Sequence, residues 1–430
     1  MPTVTLAGRA PIPFPARTVA AVTLAVTLLT SCAGPDSRPA TSSPTDVATT
    51  THGVVDGARE LSEPELSLVL ADGAGRLTLV DLIDGTGTEL PGGRSPVDAM
   101  AGDGRFVYLS HASGDRTTVE IVDSGRWTVE HGDHFHYYRA TERAVGTVTG
   151  IGPATVHSGD RRTAVAFPAS GEVVVLAHDD LAAGTLGTPR TVTRSPHRGL
   201  LAVPFAGHLL VTAPDQTGSA ASVELLDGQG RPVGGARTPC PDASDAAMTR
   251  VGAVVACSDG AVLATVTDGP PAVEKISYPA GVAPPARSLN GRAGRPALAG
   301  VTDPADGTGA VGFWQLETRR RMWTFRPTDR PLVTVSAAGD DAGRTVAVDD
   351  GGRVRVFGPD GGDLGTAEPR LAASLADPAI RDRVRLVLDA NRAYASGPAE
   401  GVVLEIDYRD GGRIARTFDG LDPKFFEQVG

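Results

Sequence analysis

The chain has 430 residues, with 40 lysines and arginines against 51 aspartates and glutamates, and a formal net charge of −11. A surface this acidic is repelled by nucleic-acid phosphates and anionic headgroups, which excludes nucleic acid as a partner and leaves cations free to approach. The 53 glycines, 33 prolines and low aromatic content (5%) describe a turn-rich chain of small apolar residues.

Residues 1–32 read as a lipoprotein signal peptide. Arg9 and Arg17 supply the positive n-region, and the run from Val19 to Leu29 supplies an apolar h-region. That run is too short to span a bilayer, which needs ~20 apolar residues. It ends in Leu29-Thr30-Ser31-Cys32, which resembles a bacterial lipobox with Cys32 as the lipidated residue. The alternative is an ordinary secretion signal. Either one places the mature chain outside the cytoplasm, and the lipobox places it on the extracytoplasmic face of the cell membrane. Residues 33–64 are rich in Pro, Ser, Thr, Ala and Gly and read as a flexible tether, because they lack the apolar residues that offset ordering entropy.

Residues 65–430 read as one domain built on an internal repeat. Its unit is a strand, a Gly/Asp turn and a second strand. Successive units are Leu66 to Leu82, Arg105 to Asp123, Thr163 to Leu176, Gly199 to Asp227, Val251 to Val266, Ala297 to Leu316, Gly343 to Phe357 and Val384 to Asp407. Their spacing is near the ~40–50 residues of a four-stranded propeller blade. Short alternations of Val, Leu, Ile and Ala between Gly-Asp turns are a β signature, and no stretch keeps a helical apolar stripe. The expected fold is an all-β, single β-propeller, with eight blades and seven as the alternative.

Between the second and third units lies His131-Gly132-Asp133-His134-Phe135-His136-Tyr137-Tyr138. Three of the nine histidines in the chain fall within six positions here. Neutral imidazole is the commonest protein ligand for zinc. In an extended segment His134 and His136 share a face, and His131 joins them if the chain turns at Gly132-Asp133. Asp133 is a further candidate, as a fourth ligand or as a partner that orients a ring. Unligated surface histidines and acid/base histidines are the alternatives. Of the remaining histidines, His111 follows a strand of the second unit and is a candidate extra ligand or ring-orienting partner, and His197 sits in a loop leading into the fourth. For His111, His157, His178, His197 and His208 taken singly, a structural role is the commoner reading.

Cys240 and Cys257, an even pair in an exported chain, suggest a disulfide. Asp179-Asp180, Asp340-Asp341 and Asp349-Asp350 lie in Gly-rich turn contexts and read as turn chemistry. The chain has no GxSxG elbow, no HExxH and no phosphate-cradling loop, so the sequence does not point to an enzyme.

The segment SGRWTVEHGDHFHYYRA at 124–140 resembles the AztD-type zinc metallochaperones, which are secreted β-propellers. TAVAFPASGEVV, PHRGLLAVPFAGHLLV, the paired-cysteine stretch from Pro239 and the tail FDGLDPKFFEQVG extend the likeness over nearly the whole mature chain. The resemblance implies zinc (Zn2+) as the bound ion, His131, His134, His136 and His197 as its ligands, and delivery to the solute-binding protein of a zinc ABC importer. The chain departs from the family pattern at Arg198, at Thr155, and at Ser244 and Asp245, where the family has histidines. Asp245 is a candidate replacement oxygen ligand. The rival readings are a surface propeller that binds a protein or carbohydrate, with structural histidines, and a metal-dependent hydrolase.

Overall fold

The computed structural model describes residues 55–131, 134–234, 237–267, 269–286, 288–302 and 310–430. The expected signal peptide, Cys32, most of the expected tether and Asp133 lie outside the described residues. Among the described residues, no helix is long and apolar enough to cross a membrane.

The first strand, β1 (Arg59–Leu61), comes from within the segment expected to be tether. After it, β2 (Ser67–Ala71), β3 (Leu77–Asp81) and β4 (Gly87–Glu89) form an antiparallel meander. The last strand of the chain, Phe425–Val429, pairs with β2 from Ser67↔Val429 to Ala71↔Phe425 and completes a four-stranded sheet. Next in the chain come β5 (Ala99–Gly102), β6 (Phe106–Ser113), β7 (Arg116–Asp123), β8 (Arg126–His131), β9 (His134–Arg139) and β10 (Arg143–Ile151). β5, β6, β7 and β10 make a second four-stranded sheet, whereas β8 and β9 leave it to form a separate sheet with β1, in the order β1-β9-β8. Six further antiparallel sheets follow, over 155–193, 202–239, 245–277, 297–327, 332–366 and 386–418.

Period-two alternation explains how the sheets assemble. Every residue of β2 is buried. On one face Leu68 and Leu70 pack with Tyr394, Val403 and Phe418 of the final sheet. On the other, Val69 and Ala71 pack with Met100, Val107 and Leu109 of the second. Among the described residues the pattern recurs in eight apolar clusters, each drawn from two successive sheets, with the last sheet packed on the first. Strands covered on both faces read as near-continuous apolar runs. This all-β arrangement of successive antiparallel sheets, most of them four-stranded among the described residues, is that of a β-propeller.

The histidine segment lies between the second and third units in sequence, as expected, and its flanks are strands. It interrupts the second sheet between its third and fourth strands. Gly125, with φ of +68°, makes the departure possible, since a Cβ there would meet the Ala140 carbonyl oxygen at 2.3 Å.

Glu427, on the closing strand, is mostly covered. Burial pushes its carboxyl up to about 7, with Arg385 opposing the shift and Asp103 adding to it. The unfolded chain therefore loses this proton first as pH rises, and stability falls between pH 4.5 and about 7. Glu427→Gln should flatten that fall, removing a difference of up to about 3 kcal/mol between pH 5 and pH 8. Urea denaturation at the two pH values measures it.

Candidate metal centre

The hairpin starts from a buried carboxylate. Asp123 is fully enclosed and accepts from Arg105 Nε at 3.0 Å and Arg105 Nη2 at 2.8 Å. It also accepts from the Gly125 amide at 3.0 Å, and Arg143 Nη2 lies 3.4 Å away. The Arg105 guanidinium lies over the Trp127 ring, 3.7 Å from its centroid. Arg126 donates to Glu142 at 2.8 Å, and Arg139 donates to Glu65 at 3.1 Å. These pairs fix the base of β8 and β9 on the second sheet.

From that base a column of rings leads to the histidines. Trp127 and Tyr138 stack with centroids 5.4 Å apart, and Tyr138 and His136 follow at 6.3 Å. His136 then meets His134 edge-on at 4.7 Å. The register explains the column, because Trp127 faces Tyr138, Val129 faces His136 and His131 faces His134. Directly opposed residues share a face, as do i and i+2. The expected convergence of His134 and His136 is present: their Nε2 atoms are 3.0 Å apart. The His136 Nδ1–H donates to Glu60 Oε1 at 2.6 Å, and Glu60 sits opposite Tyr138 on β1.

Two ligand nitrogens at 2.0–2.1 Å from a tetrahedral zinc stand about 3.3 Å apart. The 3.0 Å separation of the two Nε2 atoms fits that edge after a small movement of either ring. Among the described residues, no group of three or more His, Cys, Asp or Glu side chains could hold a metal ion. The side chain of His131 and all of Asp133 lie outside the described residues. At the tip, Phe135 is 52% exposed, and Glu130 pairs with Arg250 at 3.0 Å. Arg250 lies between the first two strands of the sheet over 245–277, so the pair links the hairpin to that sheet.

The other expected residues have partners elsewhere. The His197 Nδ1–H donates to Ser195 O at 2.7 Å, and its Nε2 lies 3.1 Å from Thr212 Oγ1. Burial pushes this ring below the usual histidine range. His111 donates from Nδ1 to Pro96 O at 3.0 Å and lies 3.4 Å from Glu120, which raises its pKa. Asp245 accepts from the Ala246 and Leu289 amides, both at 2.8 Å, and stands 3.9 Å from His157 Nε2. His178 lies 2.9 Å from Thr163 Oγ1 and packs edge-on against Phe106. Cys240 and Cys257 are disulfide-bonded, as expected. Glu60 was not foreseen, since the composition around it marks a tether.

No protein-family model and no curated protein matches the sequence. Among solved structures, the fold matches the crystal structure of Citrobacter koseri AztD with a TM-score of 0.71 at 17% identity, over 86% of this chain and 98% of that one. Apo AztD from Citrobacter koseri matches with a TM-score of 0.71 at 16% identity, over 86% and 99%. The dihydro-heme d1 dehydrogenase NirN in complex with DHE matches with a TM-score of 0.52 at 13% identity, over 86% and 79%. The chain therefore has an AztD-type fold.

His197→Ala removes a buried ring and leaves Thr212 and the Ser195 carbonyl without it. The expected loss is about 1–3 kcal/mol of stability. Thermal and urea unfolding measure this, and metal titration of the same variant should match the parent within twofold.

Proposed function

We propose that this chain is an extracytoplasmic zinc chaperone, anchored through a lipid on Cys32, that delivers zinc to the solute-binding protein of a zinc ABC importer. The observation that carries the reading is the His134–His136 pair, with Nε2 atoms 3.0 Å apart on a hairpin braced from the core. The AztD-type fold supports it. So does the Cys240–Cys257 disulfide, which suits an oxidising compartment. In this reading the ring has eight blades, one for each apolar cluster between successive sheets.

His134 and His136 supply two nitrogens. His131, the register partner of His134, supplies a third, and Asp133 supplies an oxygen or orients a ring. His197, His111 and Asp245 serve the fold. The mechanism is capture and handover rather than catalysis. Imidazole binds a metal only when neutral, so capture releases protons. Handover proceeds as the partner's ligands enter while one position of the ion is open. The negative net charge favours approach of the cation, weakly and with salt dependence.

Competition against a chromophoric chelator tests the site. The parent chain should bind zinc near one equivalent, and His134→Ala/His136→Ala should lose that binding while keeping its unfolding midpoint. Undiminished zinc affinity in the double variant would sink the reading. For delivery, mixing the loaded chain with the apo solute-binding protein should move zinc faster than release to a chelator alone.

A further inference from the structure

Glu60 reaches the histidines from 76 positions earlier in the chain. We infer that it is a positioning residue of the metal site, one that selects which nitrogen of His136 faces the ion. The inference rests on the zinc reading of the hairpin.

Glu60 Oε1 is 2.6 Å from His136 Nδ1. An ionised carboxylate can only accept, so Nδ1 carries the proton. A neutral imidazole has one N–H, and the lone pair is therefore on Nε2. That is the nitrogen standing 3.0 Å from His134 Nε2. The backbone makes the arrangement specific. β1 pairs with β9 in the register Arg59↔Arg139, Glu60↔Tyr138 and Leu61↔Tyr137, which puts Glu60 on the face that carries His134 and His136. A slip of one residue would send the carboxylate to the opposite face.

The Glu60 side chain is 54% exposed, and an ion pair so placed contributes little to stability. Its effect falls on the metal. A carboxylate on the far nitrogen fixes the tautomer and ring orientation and raises the basicity of the ligand, and losing such a partner typically costs 10–100-fold in metal affinity. A strand from within the expected tether thus completes a site formed by a hairpin that interrupts the second sheet.

The test uses the full chain, with zinc and cobalt(II) as probes. Glu60→Ala should weaken zinc binding about 10–100-fold, and Glu60→Gln, which keeps an acceptor oxygen, should recover part of the loss. In the metal-free protein, imidazole nitrogen NMR should find His136 as the Nδ1–H tautomer in the parent and as a tautomer mixture in Glu60→Ala. The cobalt(II) visible spectrum should keep its band positions, because the ligand set is unchanged. Zinc affinity within twofold of the parent, with an unaltered His136 tautomer, overturns the inference. Cobalt bands that change with Glu60→Ala overturn it too, by making Glu60 a ligand. If His134→Ala/His136→Ala retains zinc, the underlying zinc reading fails as well. Silent Glu60 variants beside a zinc-free double variant overturn the role of Glu60 alone.

Discussion

The placement of the histidines depends on the buried pair between Asp123 and Arg105. A carboxylate taken fully out of water is tolerated only when its oxygens are matched, and Asp123 is matched by a two-pronged guanidinium and by the Gly125 amide. Removing one partner of such a pair costs about 3–5 kcal/mol, since the other charge stays buried. Arg105 also carries the Trp127 ring on its face, and Trp127 carries Tyr138, which is 2% exposed. His136 is the next ring in the column. The tip is held differently. Glu130 and Arg250 are each about half exposed, and a pair like that is worth roughly 0–1 kcal/mol. The hairpin is therefore rigid at its base and weakly tied at its tip.

Scaffold and site are divided by the way apolar area is distributed. Each large sheet is covered on both faces by its neighbours, so the ring is stable only as a whole. The three-stranded sheet of β1, β9 and β8 belongs to none of the clusters that join successive sheets. Its side chains are mostly rings, guanidiniums and carboxylates, with Leu61 and Val129 among them. Polar groups at an end of a propeller can vary without disturbing strand packing, which is why propellers host unrelated functions.

Much of this was legible in the sequence, for a physical reason. The eight strand-turn-strand units correspond to paired strands of eight successive sheets, because burial on both faces demands apolar runs broken by turns. The convergence of His134 and His136 followed from period two alone. The hairpin itself was also available, since Trp127, Val129 and His131 alternate on one side of Gly132-Asp133, and His134, His136 and Tyr138 on the other. Its insertion between the third and fourth strands of the second sheet was not, because the repeat places the segment only between two units. Glu60 could not be found that way. Strand pairing across 76 positions leaves no local periodicity, and three residues of polar strand look like linker. His197 shows the opposite limit, because a histidine in a loop looks the same in sequence whether its nitrogens face an ion or a threonine and a carbonyl.

A site that must give up its ion has to meet two demands that pull apart. Affinity needs the nitrogens held near tetrahedral separation before the ion arrives, so that little ordering is left to do on binding. Transfer needs solvent and a partner to reach the ion. A pocket inside the ring would satisfy the first demand and obstruct the second. The hairpin meets both by separating them along its length. The Asp123–Arg105–Trp127–Tyr138 column fixes the ring of His136, and Glu60 holds its far nitrogen. His134 and Phe135 stand exposed two residues or fewer away, near the surface ion pair of Glu130 with Arg250. In the proposed role this gradient from buried base to open tip lets a partner's ligand replace His134 first, while His136 is still oriented from the core.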